Sequence, residues 1–273
     1  MSKIIIALLF SLLIASVSFA DGIETVTLVD VQGESETLLL LNASASLKEK
    51  YYPSGKMPSQ ILAFYVKFSG SEILFDAGLK NGHIVSRLSE NGVAPESVRT
   101  ILITHLHPDH FGGLVDSDGK ASFPNAEVYV SKPEYDYWVK ALRNESVIEA
   151  LSLYTVKQFA FGDEVVPGVR AIDTAGHTPG HVSYLVEADG EKLLVAGDIM
   201  HFQTIQLEHP EVAVRYDVDP EKAVQSRKFL LDYAASKKIP IAGMHIVPPG
   251  IIRVEKSGGT MCIPAIGIFF DAA

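Results

Sequence analysis

The hydrophobic positions of the chain fall mostly in short runs separated by turn residues, a pattern typical of β-strands with a few helices between them. The runs predict strands at 25–29, 37–41, 60–68, 72–75, 98–103, 125–131, 169–173, 182–187, 192–196, 239–242, 251–255 and 263–270. Helical spacing predicts helices at 84–91, 145–154 and 220–236, and proline at a favoured early position predicts another that begins near Pro133.

The predicted strands and helices come in two rounds, each with strands first and helices after them. We therefore expect an α/β protein of one domain over 21–273, in which two sheets pack face to face with helices outside. The functional site is expected along one edge of the sheets. The strands at 25–29 and 37–41 are expected to form a hairpin, and the polar, turn-rich segment 48–58 to be a loop that folds over the site.

One stretch concentrates the polar side chains that can do chemistry. The residues from Thr104 to His110 read THLHPDH, and they directly follow the strand predicted at 98–103. A loop at a strand end holds side chains rigidly and still leaves them accessible. His105 and His107 point to the same side of an extended loop, and a proline then redirects the aspartate and histidine that follow. This stretch predicts a metal site.

Further polar residues stand at strand ends later in the chain, and together they supply enough ligands for two metals. The expected ligands are His105, His107 and His181 for an all-nitrogen site, Asp109, His110 and His245 for a mixed site, and Asp198 as the bridge between them. Imidazole suits zinc and iron and carboxylate suits harder ions, so two divalent metals are the expected cofactors, with zinc as the first choice.

Three more residues near these ligands have alternative interpretations. His177 and His181 flank Thr178-Pro179-Gly180 and compete for one ligand position; we assign it to His181 because His181 directly precedes a strand. Asp76 either orients a ligating histidine or forms a turn before glycine. His201 either polarises a carbonyl or phosphoryl oxygen as a catalytic residue or is an ordinary surface histidine.

The chemistry expected of such a site is hydrolysis. A metal lowers the pKa of bound water to about 7, and two metals about 3.5–4 Å apart can hold both the attacking and the leaving oxygen. Three protein ligands per metal and one shared carboxylate leave room for a bridging hydroxide, and Asp109 is the group expected to receive the released proton. Tyr135, Tyr137 and Trp138 either line a substrate pocket or serve packing.

Composition narrows the partners and the compartment. The net charge of −10 is opposite to the basic surface that nucleic-acid binding requires, so no nucleic-acid partner is expected. The expected partner is a small-molecule substrate, and a homodimer is left open. Residues 1–20 resemble an export signal: Lys3 precedes an apolar segment at 4–17, and small residues stand at Ser18 and Ala20. The alternative, an uncleaved anchor, needs about 20 apolar residues. We expect a periplasmic or secreted protein with no membrane attachment after cleavage.

These residues carry a family likeness. The run from His105 to His110, followed by Gly180-His181, Gly197-Asp198 and Gly243-Met244-His245, resembles the metallo-β-lactamase superfamily over nearly the whole chain after residue 20. The resemblance implies an αββα sandwich with a binuclear metal site that hydrolyses ester, amide, thioester or phosphoester bonds.

Departures from the family pattern narrow the subgroup. His107 stands where oxygen-reducing members carry glutamate, and β-lactamases of this superfamily usually lack the carboxylate found here as Asp198. The tail after His245 is too short for the helical domain of glyoxalase II, and the chain is too short for the inserted domain of RNA-processing members. The segment 197–251 is similar to the exported methyl parathion hydrolase group, whereas lactonases place a tyrosine at the position of His201.

The resemblance therefore implies a hydrolase of ester-like small molecules, namely phosphotriesters, aryl esters or lactones. Two alternatives stay open at this point, a β-lactam hydrolase and a metal-dependent binding protein without turnover.

Overall fold

The computed structural model describes residues 16–19, 22–257 and 260–263, and two mixed β-sheets form the centre of this part. The strands of the first sheet lie in chain order: β1 (Ser16–Phe19), β2 (Ile23–Glu36), β3 (Lys56–Phe68), β4 (Ser71–Phe75), β5 (Thr100–Leu102), β6 (Glu127–Ser131) and β7 (Thr155–Phe159). Neighbours from β1 to β4 pair antiparallel, and neighbours from β4 to β7 pair parallel.

The strands of the second sheet also lie in chain order from one edge to the other. Its strands are β8 (Glu164–Val166), β9 (Val169–Asp173), β10 (Val182–Ala188), β11 (Glu191–Val195), β12 (Ile241–Ala242) and β13 (Ile251–Ile252). β11 and β12 pair parallel, while the other neighbours pair antiparallel. A separate hairpin joins β14 (Glu255–Ser257) to β15 (Thr260–Cys262).

Helices lie between the strands. They are α1 (Ala45–Tyr51), α2 (Ile84–Glu90), α3 (Pro108–Phe111), α4 (Lys132–Tyr135), α5 (Glu145–Ser152), α6 (Gln203–Glu208) and α7 (Pro220–Lys237). α4 continues into a π-helical turn at Asp136–Ala141, and short 3-10 turns occur at Thr37–Leu39, Pro95–Ser97 and Gly112–Leu114. Among the described residues, no helix has the length and hydrophobicity needed to cross a membrane.

The alternation of side chains along β3 explains the layers. Leu62, Phe64 and Val66 pack into the core between the two sheets, whereas Ala63 and Tyr65 pack into the core shared with α2 and α5. Successive residues of a strand point to opposite faces, so one strand serves both cores. On the outer face of the second sheet, α7 buries its own apolar residues against Leu185, Leu194 and Ile241. The predicted αββα architecture is confirmed.

A buried arginine ties α7 to the loop that follows β11. Arg227 donates from Nε to the carbonyl of Ile199 at 2.6 Å, and from its guanidinium to the carbonyls of Pro210 and Val212 at 2.8 and 2.9 Å. A buried charge is tolerated only where it is hydrogen-bonded, so these contacts fix the loop in place. That loop carries Asp198 and His201.

Two local predictions are wrong. The expected hairpin of 25–29 and 37–41 does not form, because β2 runs without a turn to Glu36 and pairs with β3 along its whole length. The segment 48–58 is not one loop, since it contains the end of α1 and the start of β3. Tyr52 and Met57 of this segment pack with Phe202 and Ile205, beside the predicted site.

Several predictions for the termini concern residues that lie outside the described part of the chain. Residues 1–15, 20 and 21 belong to this group, as does most of the strand predicted at 263–270. Ser16–Phe19 forms the edge strand β1 against β2, and cleavage after Ala20 would leave β2 as the edge. The export signal stays a prediction.

Candidate metal centre

The candidate ligands gather because they follow strands that end at the same edge of the sandwich. His105 to His110 follow β5, His177 follows β9, Asp198 follows β11 and His245 follows β12. The carboxyl ends of strands in open α/β sheets are the usual place for such loops. The candidate ligands therefore lie together at one edge of the sandwich.

Three histidine nitrogens and one carboxylate form the first group of potential ligands. His107 Nδ1 lies 3.0 Å from His105 Nε2 and 2.9 Å from His177 Nε2. Asp198 Oδ2 lies 3.3 Å from His177 Nε2 and 3.6 Å from His105 Nε2. Nitrogens that converge in this way are the arrangement that a cation can bind.

A second group lies on the other side of Asp198. His110 Nε2 and His245 Nε2 lie 3.6 and 3.5 Å from Asp109 Oδ2. The carboxylate of Asp198 reaches this group as well as the first, because Oδ1 lies 3.3 Å from His110 Nε2 and Oδ2 lies 3.0 Å from His245 Nε2. Asp198 thus lies between the two groups of potential ligands.

The first group of potential ligands contains His177 in place of His181, the histidine predicted as a ligand. Both ring nitrogens of His181 are already used: Nδ1 donates to the carbonyl of Thr174 at 3.1 Å, and Nε2 accepts the backbone N–H of Asp198 at 2.9 Å. Burial is the main cause that lowers the pKa of His181 to about 3, so the ring is neutral. A Cβ at Gly197 would lie only 2.5 Å from His181 Nε2, and φ there is 58°, so the glycine allows this close contact.

Other residues orient the ligand histidines through their second ring nitrogen. His110 Nδ1 donates to Asp76 at 2.7 Å, His177 Nδ1 donates to Asp217 at 2.8 Å, and His245 Nδ1 donates to the carbonyl of Gln60. Such hydrogen bonds fix the ring orientation and leave Nε2 free to bind a metal. Of the two roles considered for Asp76, orientation of a histidine is the one found. Asp217 was not foreseen, because it is 40 residues from its partner in sequence.

A buried glutamate, also not foreseen, locks two ligand-bearing loops together. Glu134 accepts the backbone N–H groups of Leu106 and Gly180 at 2.8 and 2.9 Å, the hydroxyl of Thr178 at 2.7 Å and the indole N–H of Trp138 at 2.7 Å. Burial raises the pKa of this carboxyl despite its four donors. The sequence shows Glu134 only as part of a helix start, and no local pattern indicates its partners.

His201 lies inside the cluster and is not a surface residue. Its Nε2 is 3.1 Å from Asp198 Oδ2, and its ring stacks on His245 with centroids 4.8 Å apart. The ring also lies 4.8 Å from His177. The side chain is buried, and Nδ1 has no hydrogen-bond partner in the described structure.

The charges of the cluster favour bound cations. Burial raises the pKa of Asp198, but the facing histidines, first His110 and His245, hold it well below the usual range. Burial lowers the pKa of His110, and the carboxylates of Asp198, Asp109 and Asp76 together raise it well above the usual range. The carboxylate of Asp198 therefore stays ionised and stabilises positive charge at this point.

Two buried atoms test whether these residues fit a metal. His110 Nε2 and Asp198 Oδ1 are buried and have no hydrogen-bond partner among the residues described, although they lie 3.3 Å apart. Buried polar atoms are nearly always satisfied, and an exception calls for an ion or a functional reason. A cation that displaces the proton of the imidazole would take both atoms as ligands, so the residues fit the metals that the sequence predicts.

A comparison with known families agrees with this geometry. The family model described as the metallo-β-lactamase superfamily matches residues 57–242, which is more than half of the chain. The chain belongs to the metallo-β-lactamase superfamily.

One of the curated relatives that the chain resembles is named as a lactonase. The chain is 31% identical to an N-acyl homoserine lactonase of Bacillus cereus over 136 residues, which cover 46% of this chain and 51% of that relative. This match thus spans about half the length of the curated relative.

Two solved structures resemble nearly the whole chain. A crystal structure of the hydrolase AbOPH in the β-lactamase superfamily has 33% identity and a TM-score of 0.84, and the match covers 95% of this chain and 98% of that one. The dizinc quorum-quenching lactonase AidC shares the fold, with a TM-score of 0.85, 23% identity and coverage of 94% and 98%. The relatives are named as hydrolases, and the predicted class, a metal-dependent hydrolase, is confirmed at this level.

Proposed function

We propose that this protein is a binuclear metal-dependent hydrolase of ester-like small molecules. The observation that carries the proposal is the single carboxylate of Asp198 between two groups of converging ligand atoms. In this proposal His105, His107 and His177 hold one metal, Asp109, His110 and His245 hold the other, and Asp198 bridges them.

Bound divalent metals, for which zinc is our first choice, would lower the pKa of water to about 7 and so supply hydroxide at neutral pH. The chain supplies the ligands and a group for the released proton. Asp109 is suited to that second task, because its side chain is 24% exposed whereas that of Asp198 is 2% exposed. Asp109 therefore lies at the open side of the cluster, where a substrate would enter.

The substrate is proposed from two sources. The names of the relatives favour a lactone, and the resemblance of the segment 197–251 to methyl parathion hydrolases favours a phosphotriester. Aryl esters share with both an electrophilic centre that carries an oxygen leaving group. We propose that the site accepts this shared chemistry.

Metal analysis combined with an activity screen tests the proposal. We expect about two metals per chain, the stoichiometry of a two-metal site, and turnover of a lactone, an aryl ester or a phosphotriester. The intact mass of the same preparation tests our further proposal that residues 1–20 are removed on export.

Each other result contradicts a different part of the proposal. Failure to bind any transition metal, even on titration, would exclude the metal centre. Full metal loading with no turnover on any substrate would favour a binding protein, and turnover of a chromogenic cephalosporin alone would favour a β-lactam hydrolase.

His201 is proposed as a catalytic residue that donates a hydrogen bond to the substrate oxygen. The change His201→Ala should lower turnover by about 10²-fold, as the loss of a donor to a developing oxyanion does, while the metal content stays the same. His201→Tyr should raise lactone hydrolysis relative to phosphotriester hydrolysis, because it restores the residue that lactonases of the resembling family carry.

The two variants are compared by kcat, KM and metal content. A fall in metal content in His201→Ala would show that the ring is a ligand, since its Nε2 lies within the group formed with Asp198 and His245. An unchanged ratio of the two activities in His201→Tyr would exclude this residue as the determinant of substrate class.

A further inference from the structure

An exposed aromatic ring stands at one end of a row of side-chain rings that crosses the cluster. The ring of Trp138 lies 5.6 Å from that of His107, which lies 4.7 Å from that of His177. The ring of His201 lies 4.8 Å from that of His177, and the ring of Tyr216, at the end of the row, lies 6.0 Å from that of His201. Trp138 and Tyr216 therefore flank the metal ligands from two ends.

The loop that carries Tyr216 is held firmly on both sides. Arg215 N–H donates to the carbonyl of Leu39 at 2.9 Å, and Val218 N–H donates to the carbonyl of His177 at 2.9 Å. Asp217, between them, accepts from the Val214 N–H at 2.9 Å. A ring on an anchored loop keeps its position, so Tyr216 presents a preorganised surface to the site.

Tyr216 is nevertheless half exposed, which is unusual for a large ring on a fixed loop. Its exposed fraction is 48%, and Val218 on the same loop and Val247 after the last metal ligand are 47% and 46% exposed. These three are among the large apolar side chains that the described structure leaves open to solvent. The ring of Tyr216 thus combines an exposed face with a fixed position beside His201, so it can contact a bound molecule.

We propose that Tyr216 is a specificity-determining residue, whose ring face contacts an aromatic group of the substrate next to the bond that is cleaved. This inference rests on the proposed function, because it assumes that the scissile bond lies over the metal ligands. The substrates it favours are aryl esters and aryl phosphotriesters. Aromatic rings in offset or edge-to-face contact stabilise each other beyond simple burial, which gives such a contact its selectivity.

Binding without turnover tests the contact directly. Trp138 is the only tryptophan of the chain, so its fluorescence reports binding beside His107. The zinc-loaded full chain is titrated with phenylphosphonate and with methylphosphonate, which share the metal-binding oxygens and differ in the ring. We expect the parent to prefer phenylphosphonate and Tyr216→Ala to lose about three- to tenfold of that preference.

Two further variants separate the ring from its hydroxyl and from a general surface effect. Tyr216→Phe should keep the preference, because the ring face remains. Phe229→Ala is the matched control, since Phe229 is 52% exposed on the outer face of α7 and stacks on Tyr233. It should change neither affinity.

Several results would overturn the proposal. They are a parent chain that binds the two phosphonates equally or not at all, an unchanged preference in Tyr216→Ala, and a loss in Tyr216→Phe as large as in Tyr216→Ala. Because no turnover is needed, a protein that hydrolyses nothing in the activity screen could still show the preference, so the two proposals fail separately. For any substrate that is hydrolysed, Tyr216→Ala should raise KM and leave kcat nearly unchanged.

Discussion

Replacement of Asp109 by alanine is expected to lower turnover by about a hundredfold or more, the size of general acid–base effects alone. Asp109 Oδ2 lies 3.5 Å from His245 Nε2 and 3.6 Å from His110 Nε2, so the change removes a proposed metal ligand as well as the proposed proton acceptor. The measurement is kcat at saturating zinc, with the metal content determined on the same sample.

Asp109→Asn separates the two roles of this residue. The amide oxygen can still bind a cation, but the amide does not accept a proton at neutral pH. The control is Asp118→Ala, which removes a carboxylate that is 71% exposed and paired with Lys120; such surface pairs contribute little, and turnover should not change. If Asp109→Asn at full metal content is within a few fold of the parent, Asp109 is a ligand only.

Strands and helices could be predicted from the sequence wherever the hydrophobic period, the turn residues and the caps all indicated the same element. The strand predicted at 169–173 coincides with β9, and the paired strands predicted at 60–68 and 72–75 lie in β3 and β4. The helix predicted at 220–236 begins as expected, with the side chain of Asp219 accepting the N–H of Lys222. In these elements, period, turn residues and caps all favour the same structure.

The elements that were missed depend on contacts that are distant in sequence. β7 is largely exposed and polar, and it is a strand because its backbone pairs with β6. The second half of β2 contains Gly33 and acidic residues that are typical of a turn, but it pairs with the start of β3. A strand that is exposed and held by backbone pairing does not need alternating hydrophobic residues, so the local sequence does not reveal that it is a strand.

In the candidate site, too, local patterns could be recognised and contacts between distant residues could not. Histidines and aspartates at strand ends could be recognised as ligands, because the residue types and the spacing of His105 to His110 already limit the chemistry. What orients them could not be recognised, since Asp217, Glu134 and Gln60 reach the cluster from distant parts of the chain. The choice between His177 and His181 is of the same kind, because it depends on which ring has both nitrogens engaged in hydrogen bonds.

The second large effect is expected for the metal content of variants at His177 and His181. His177→Ala is expected to reduce the bound metal from about two per chain to about one, because only the second group of a two-metal site stays complete. His177 Nε2 faces His107 Nδ1 at 2.9 Å and Asp198 Oδ2 at 3.3 Å, so its loss opens the first group of ligands. His181→Ala should keep two metals per chain and lower their affinity by about 10- to 100-fold, as the loss of a residue that supports a ligand does. Metal per chain is measured after equilibration of both variants at the same free zinc concentration.

Thermal unfolding of the two variants shows that the comparison is made between folded proteins. His181→Ala leaves the backbone N–H of Asp198 buried without its acceptor, so it should lower the free energy of unfolding by about 1–3 kcal/mol. Asp217→Asn is the matched test of the His177 assignment, because it weakens the 2.8 Å hydrogen bond to His177 Nδ1 without removing a proposed ligand. It should weaken metal binding and keep the stoichiometry. Two metals per chain in folded His177→Ala, together with one in folded His181→Ala, would return the ligand role to His181.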